Sequence, residues 1–184
     1  MKTLVIVAHP NLEASVINKR WTEALRKHPE NYTVHDLYKA YPDGNIDVAK
    51  EQRLIETHGN LVFQFPIYWF NCPPLLKQWL DDVLTYGWAY GSTGDKLKGR
   101  KVALGVSAGI RKEDYGAAGK YRYTLEQLLA PFEATCLYCK ADYRSFHAFY
   151  GNEQEPSAVG DSGLPRESEL DRNAEAYLQF IDRL

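Results

Sequence analysis

The chain has 184 residues, of which 45% are hydrophobic, 13% aromatic and 25% charged, with a formal charge of −2. This balance excludes wholesale disorder and a dedicated nucleic-acid binder, and it supplies enough apolar material for a core. No apolar run approaches the roughly 20 residues of a bilayer span, and the run before His9 is too short for a signal peptide, so the expectation is one cytoplasmic domain over residues 1–184.

Residues 3–8 form a short run rich in β-branched side chains, the pattern of a strand buried on both faces of a parallel sheet. A loop follows from His9. Ser15 suits the cap of a helix whose apolar positions are Ile17, Trp21, Ala24 and Leu25, and which stops near His28 and Pro29. Residues 32–37 alternate as a second strand, and a turn at 41–45 leads to Asp47, a cap for a helix reaching about His58. Residues 61–65 read as a third strand ended by Pro66. Pro73 and Pro74 then open a helix with a stripe of Leu75, Leu76, Trp79, Leu80 and Val83. A Gly-rich aromatic loop spans 86–94, a fourth strand spans 101–106, and the polar stretch 112–120 is expected to be mobile. Leu125, Leu128 and Leu129 mark a helix expected to end at Ala130, before Pro131, with a fifth strand over 134–139. Residues 151–166 read as a long surface loop, and Leu170, Ala174, Tyr177, Leu178 and Ile181 give a final amphipathic helix.

Strands alternating with helices imply an α/β fold with helices on both faces of a parallel sheet. For five strands in this length the expectation is a flavodoxin-like doubly wound sandwich in the order 2-1-3-4-5. Ligands bind such sheets at the carboxyl ends of the strands, where the chain reverses direction. The loops that matter are then 9–18, 66–70 and 107–110. Neither G-x-G-x-x-G nor a P-loop is present, which disfavours a Rossmann dinucleotide site and a P-loop nucleotide site. Ser15 and Asn18 lie one helical turn apart and can flank an anion at a helix N-terminus, with His9 adding a proton donor or a positive charge. The same spacing also fits a helix in which Ser15 only caps, Asn18 faces water and His9 ends a strand.

The three cysteines include a C-x-x-C at Cys136 and Cys139. On the expected strand these thiols would point to opposite faces, and no second ligand pair completes a zinc site. They read as buried small apolar side chains, and no metal is implied. Thirteen Tyr and four Trp exceed what a small core hides well, so some, including Trp69 and Trp88, should line a planar-ligand site or an interface.

The segments 8–10 (Ala-His-Pro), 15–18, 65–77, 87–91 and 131–135 resemble the flavodoxin-fold NAD(P)H:quinone oxidoreductases, the group that includes DT-diaphorase. The similarity is closer to the small bacterial general stress NAD(P)H oxidoreductases and to potassium-efflux ancillary proteins. Its specific part is P-x-x-W-[FY]-x-x-P-x-x-L-K from Pro66 to Lys77. The resemblance implies FMN, with FAD disfavoured because the longer FAD-using relatives carry extra C-terminal sequence. It places His9, Ser15, Val16, Ile17 and Asn18 at the flavin phosphate and ribityl chain, and Pro66, Ile67, Tyr68, Trp69 and Phe70 along the isoalloxazine. Ser107, Ala108, Gly109, Ile110 and Tyr115 would surround its pyrimidine side. The family's Thr-Thr-Gly-Gly there is Ser-Ala-Gly-Ile in this chain.

Tyr115 and Tyr121 are the implied catalytic pair. Tyr121 stands where long-chain relatives have a His, and a phenol titrating near 10 donates a hydrogen bond but does not act as an imidazolium. The implied reaction passes a hydride from NAD(P)H to flavin N5 and then two electrons to a quinone-type acceptor from the same slot, with ping-pong kinetics. Charge left on the flavin N1–C2=O edge would meet amides of residues 107–110. A homodimer with the cleft closed by the partner chain is implied as well. The alternative is a flavin-binding regulatory subunit of a glutathione-gated potassium efflux system, with a membrane potassium transporter as partner.

Overall fold

The computed structural model describes residues 1–151 and 167–184. The elements are β1 (Thr3–Val7), α1 (Ile17–Arg26), β2 (Tyr32–Asp36), α2 (Leu37–Ala40), α3 (Val48–Glu56), β3 (Leu61–Pro66), α4 (Pro74–Val83), β4 (Lys101–Ala108), α5 (Leu125–Tyr138), β5 (Asp142–Tyr150) and α6 (Glu167–Asp182). All five strands are parallel, in the expected order β2-β1-β3-β4-β5.

The alternation of side chains along each strand divides the core in two. Leu4, Ile6, Phe63, Phe65, Leu104 and Val106 meet Ile55 of α3, Leu76 and Trp79 of α4, and Leu129 and Phe132 of α5. Val5, Val7, Val62 and Ala103 meet Trp21 and Leu25 of α1 and the Leu170, Ala174, Tyr177, Ile181 stripe of α6. Each large side chain sealed in this way contributes about 1.5–3 kcal/mol. Among the described residues no helix is long and apolar enough to cross a membrane.

Gly105 of β4 fits closely under α6. A Cβ built there would lie 2.5 Å from the Tyr177 hydroxyl oxygen. Gly105→Ala must therefore displace the fully buried Tyr177 ring. It is expected to cost about 1–3 kcal/mol by overpacking, read as a lower Tm, whereas an unchanged Tm would mean that α6 yields freely.

The segment 125–139 departs from the expected helix end at Ala130. The helix runs on through Pro131 to Tyr138, and the fifth strand is Asp142–Tyr150 instead of 134–139. Two forces override the proline. A capping box links Thr124 and Gln127 at the start, and Leu125, Leu129, Phe132 and Cys136 recur on one buried face. Cys136 and Cys139 thus sit at a helix C-terminus, the end whose dipole disfavours a thiolate. Both are free and buried. They border an apolar cavity of about 20 Å³, and burial pushes the Cys136 thiol up to about 12. The strand argument for these residues fails, while their reading as buried apolar side chains holds.

Leu37 opens the short α2, capped by Asp36, and does not extend the second strand. The 112–120 stretch is braced by backbone bonds from Gly116 to Tyr123, Gly119 to Gly116 and Tyr121 to Asp114. Of the expected surface loop, residues 152–166 lie outside the described residues.

Candidate functional site

Three loops leave the carboxyl ends of β1, β3 and β4 and meet along one rim of the sheet. In the first, His9 is half-buried and its Nδ1 accepts a hydrogen bond from the Asn11 N–H at 3.1 Å. That bond assigns the proton of the neutral ring to Nε2. Burial pushes the His9 pKa down, against an opposing pull from Asp36. At neutral pH the ring therefore presents an N–H donor and not a positive charge. Ser15 Oγ accepts the Asn18 N–H at 3.1 Å, which is the capping role. None of the described residues accepts the N–H groups of Val16 and Ile17. They open a ten-residue helix, so its positive dipole end and two backbone donors face the rim together.

Asn18 does not face water. It is fully buried, and its Nδ2 donates to Ser107 Oγ at 2.8 Å. Its side chain therefore ties α1 to β4.

The second loop begins after Pro66, where the Ile67 N–H donates to the Ser107 carbonyl at 2.7 Å. Tyr68 and Asn71 exchange backbone bonds of 2.8 and 3.0 Å across a tight turn. The two central residues, Trp69 and Phe70, have φ values of 49° and 61°. A left-handed conformation costs a side-chain-bearing residue about 1–2 kcal/mol, and such strain gathers at ligand sites. The turn leaves the Trp69 and Phe70 N–H groups without an acceptor among the described residues, and it holds the Trp69 side chain 94% exposed.

In the third, Ser107 and Ala108 still belong to β4, and only Gly109 and Ile110 form the turn. The Gly151 N–H donates to the Ala108 carbonyl at 2.7 Å, closing β5 over this turn. Open space lies where a Cβ on Gly109 would stand. Rings continue from here along the rim. Tyr115 packs against Tyr150 at 5.8 Å and Tyr121 at 6.5 Å between centroids, and Tyr121 packs against Phe70 at 5.2 Å. Lys112 and Lys120 place their ammonium groups 5.9 and 5.3 Å from the Tyr150 and Tyr121 ring centres.

The fold and this rim have counterparts among known proteins. A family model described as the flavodoxin-like fold matches residues 1–168. YrkL of Bacillus subtilis (strain 168), an uncharacterized NAD(P)H oxidoreductase by name, is 52% identical over 151 residues, 82% of this chain and 86% of that protein. The chain belongs to the flavodoxin-like NAD(P)H oxidoreductases. A crystal structure of general stress protein 14 from Treponema denticola, in complex with FMN, is 53% identical with a TM-score of 0.90, covering 100% of this chain and 99% of that one. The structure of an NADPH-quinone reductase from P. pentosaceus is 29% identical with a TM-score of 0.83, covering 98% and 97%. The potassium-efflux ancillary protein KefG of Yersinia pestis is 35% identical over 181 residues, 98% of this chain and 93% of that protein.

The structure adds residues that the sequence did not single out. Tyr150 was missed because the fifth strand was placed too early; the aromatic run of 143–150 was the available strand signal. Gln64, in the middle of an apolar strand, carries a polar group beneath the rim. Trp88 and Tyr90 move the other way. They lie between α4 and β4, at the opposite edge of the sheet, where the Trp88 indole donates to Glu56 at 2.7 Å and Tyr90 packs on Tyr138 at 5.3 Å.

Proposed function

We propose that the rim binds FMN and that the protein uses NAD(P)H to reduce a quinone-type acceptor. The observation that carries this reading is the pairing of a helix N-terminus, with open Val16 and Ile17 amides, and a strained Trp69–Phe70 turn whose amides face the same rim. The first suits a dianionic phosphate; the second suits the edge of a planar heteroaromatic ring. The FMN complex of the general stress protein 14 from T. denticola and the likeness to the NADPH-quinone reductase of P. pentosaceus support it.

When bound, FMN supplies two-electron transfer between the nicotinamide and the acceptor. The chain supplies the setting. The Ser15 hydroxyl, the Val16 and Ile17 amides and the His9 Nε2–H hold the phosphate end. Pro66 through Phe70 position the ring edge, and the Trp69 side chain covers one flank. Gly109 and Ile110, in the turn beyond Ser107 and Ala108 of β4, would offer backbone donors where negative charge collects. Tyr121 would line the open side, where its ring stacks with a planar substrate and its hydroxyl acts as a donor, and the Tyr115 ring, whose hydroxyl is buried, backs it. With one open side, nicotinamide and acceptor take turns there, which gives parallel initial-velocity lines. The exposed Trp69, with Tyr68 40% and Tyr123 58% exposed, is apolar surface that a second copy of the chain would cover, and sedimentation measures that directly.

The deciding experiment is anaerobic spectroscopy of the purified protein. A yellow protein that NAD(P)H bleaches and a quinone recolours is the expected result. A chain that takes up no FMN, or a bleached one that quinone leaves colourless, overturns the reading. A regulatory role beside a potassium transporter draws on the KefG similarity. Stoichiometric recovery of a transporter from solubilised membranes would favour it.

A further inference from the structure

We propose that Gln64 is a positioning residue that fixes the first turn of α1 against the sheet, and so sets the Val16 and Ile17 amides for a phosphate. The proposal rests on reading the rim as an FMN site. Gln64 lies on β3, two residues before the rim, and is fully buried in an otherwise apolar strand. Its Nε2 donates to the Asn18 carbonyl at 3.1 Å, to Thr22 Oγ1 at 3.2 Å and towards Asn18 Oδ1 at 3.4 Å. Asn18 in turn donates from Nδ2 to Ser107 Oγ. One buried chain of polar groups therefore joins β3, the first two turns of α1 and the end of β4.

Packing alone does not call for this residue. Gln64 Oε1 is buried without a partner among the described residues, a desolvation cost that Leu or Met at the same place would not carry. What the carboxamide provides is direction. The Asn18 carbonyl and side chain can be held from below only by a donor, and Gln64 is that donor. With Asn18 fixed, Ser15 caps the Asn18 N–H, and the Val16 and Ile17 amides between them are aimed without contact from the sheet.

The test is Gln64→Met, which keeps the volume and removes the donor. In the apo chain, hydrogen exchange at the Asn18 and Arg20 amides is expected to accelerate several-fold. FMN affinity is expected to fall about tenfold and riboflavin affinity to stay within about threefold. A purely structural role would weaken both flavins equally, and that outcome, or unchanged exchange, overturns the proposal. A wild-type chain that binds no FMN overturns the reading of the rim instead, and the exchange measurement still decides the tether. If the variant does not fold, NMR of the wild type answers the same question. The Gln64 side-chain NH₂ should be protected and should shift more with FMN than with riboflavin; an unprotected NH₂ overturns the proposal.

Discussion

Glu51→Ala is expected to lower stability at pH 7 by about 3–5 kcal/mol, the cost of breaking a buried charged network by removing one member. Glu51 sits on α3 with no solvent exposure. It accepts from Tyr41 OH at 2.6 Å and Trp79 Nε1 at 2.8 Å, and its Oε1 lies 2.8 Å from His35 Nε2. One carboxylate thus joins β2, the end of α2, α3 and α4. Alanine leaves those polar groups buried without their acceptor and opens a cavity. At about 2–4 °C per kcal/mol for a chain of this size, the drop is visible as a large fall in Tm. A loss under about 1 kcal/mol would show that water replaces the carboxylate.

The same residue sets an acid dependence. Burial pushes the Glu51 carboxyl up, but the hydrogen bonds from His35, Tyr41 and Trp79 together outweigh it and hold the group below its ordinary value of 4.5. A carboxyl whose folded value is depressed contributes fully above the unfolded value, and that contribution is lost as pH falls through the folded value. Stability of the wild type should therefore decline below about pH 4.5. Glu51→Ala should decline less steeply over that window in denaturant titrations.

Val16→Pro is expected to weaken FMN binding by about 10- to 150-fold, since a hydrogen bond to a charged group is worth roughly 1.5–3 kcal/mol. The substitution isolates one atom. Val16 has φ −73°, within the range of a proline ring, and Ser15 before it is extended, with ψ 127°, as proline prefers in its predecessor. The Val16 side chain is 38% exposed, so little packing is lost. The apo stability should stay within about 0.5 kcal/mol of the wild type or rise slightly. Riboflavin, which has no phosphate, should bind as before. Equal FMN affinity in variant and wild type would place the phosphate elsewhere.

Local chemistry already determined much of this. Short apolar runs at 3–8, 61–65 and 101–106 read as buried strands, because side chains on both faces must be apolar where helices cover both. With helices between them, handedness and the crossover rule leave few sheet orders. The strand ends 9, 66 and 107 then point to the rim without any coordinate. The carboxyl ends of adjacent parallel strands share one edge of the sheet.

The tertiary structure decided what depends on partners distant in sequence. Pro131 looks like a stop until Leu125, Leu129, Phe132 and Cys136 are seen to be sealed on one helical face, where burial outweighs one lost backbone bond. Asn18 and Ser107 stand 89 positions apart, and Gln64 and Asn18 46. No local pattern announces that they meet. The direction of a polar side chain under a sheet is set by whichever donor or acceptor the opposing helix brings, and that is known only once the layers are packed.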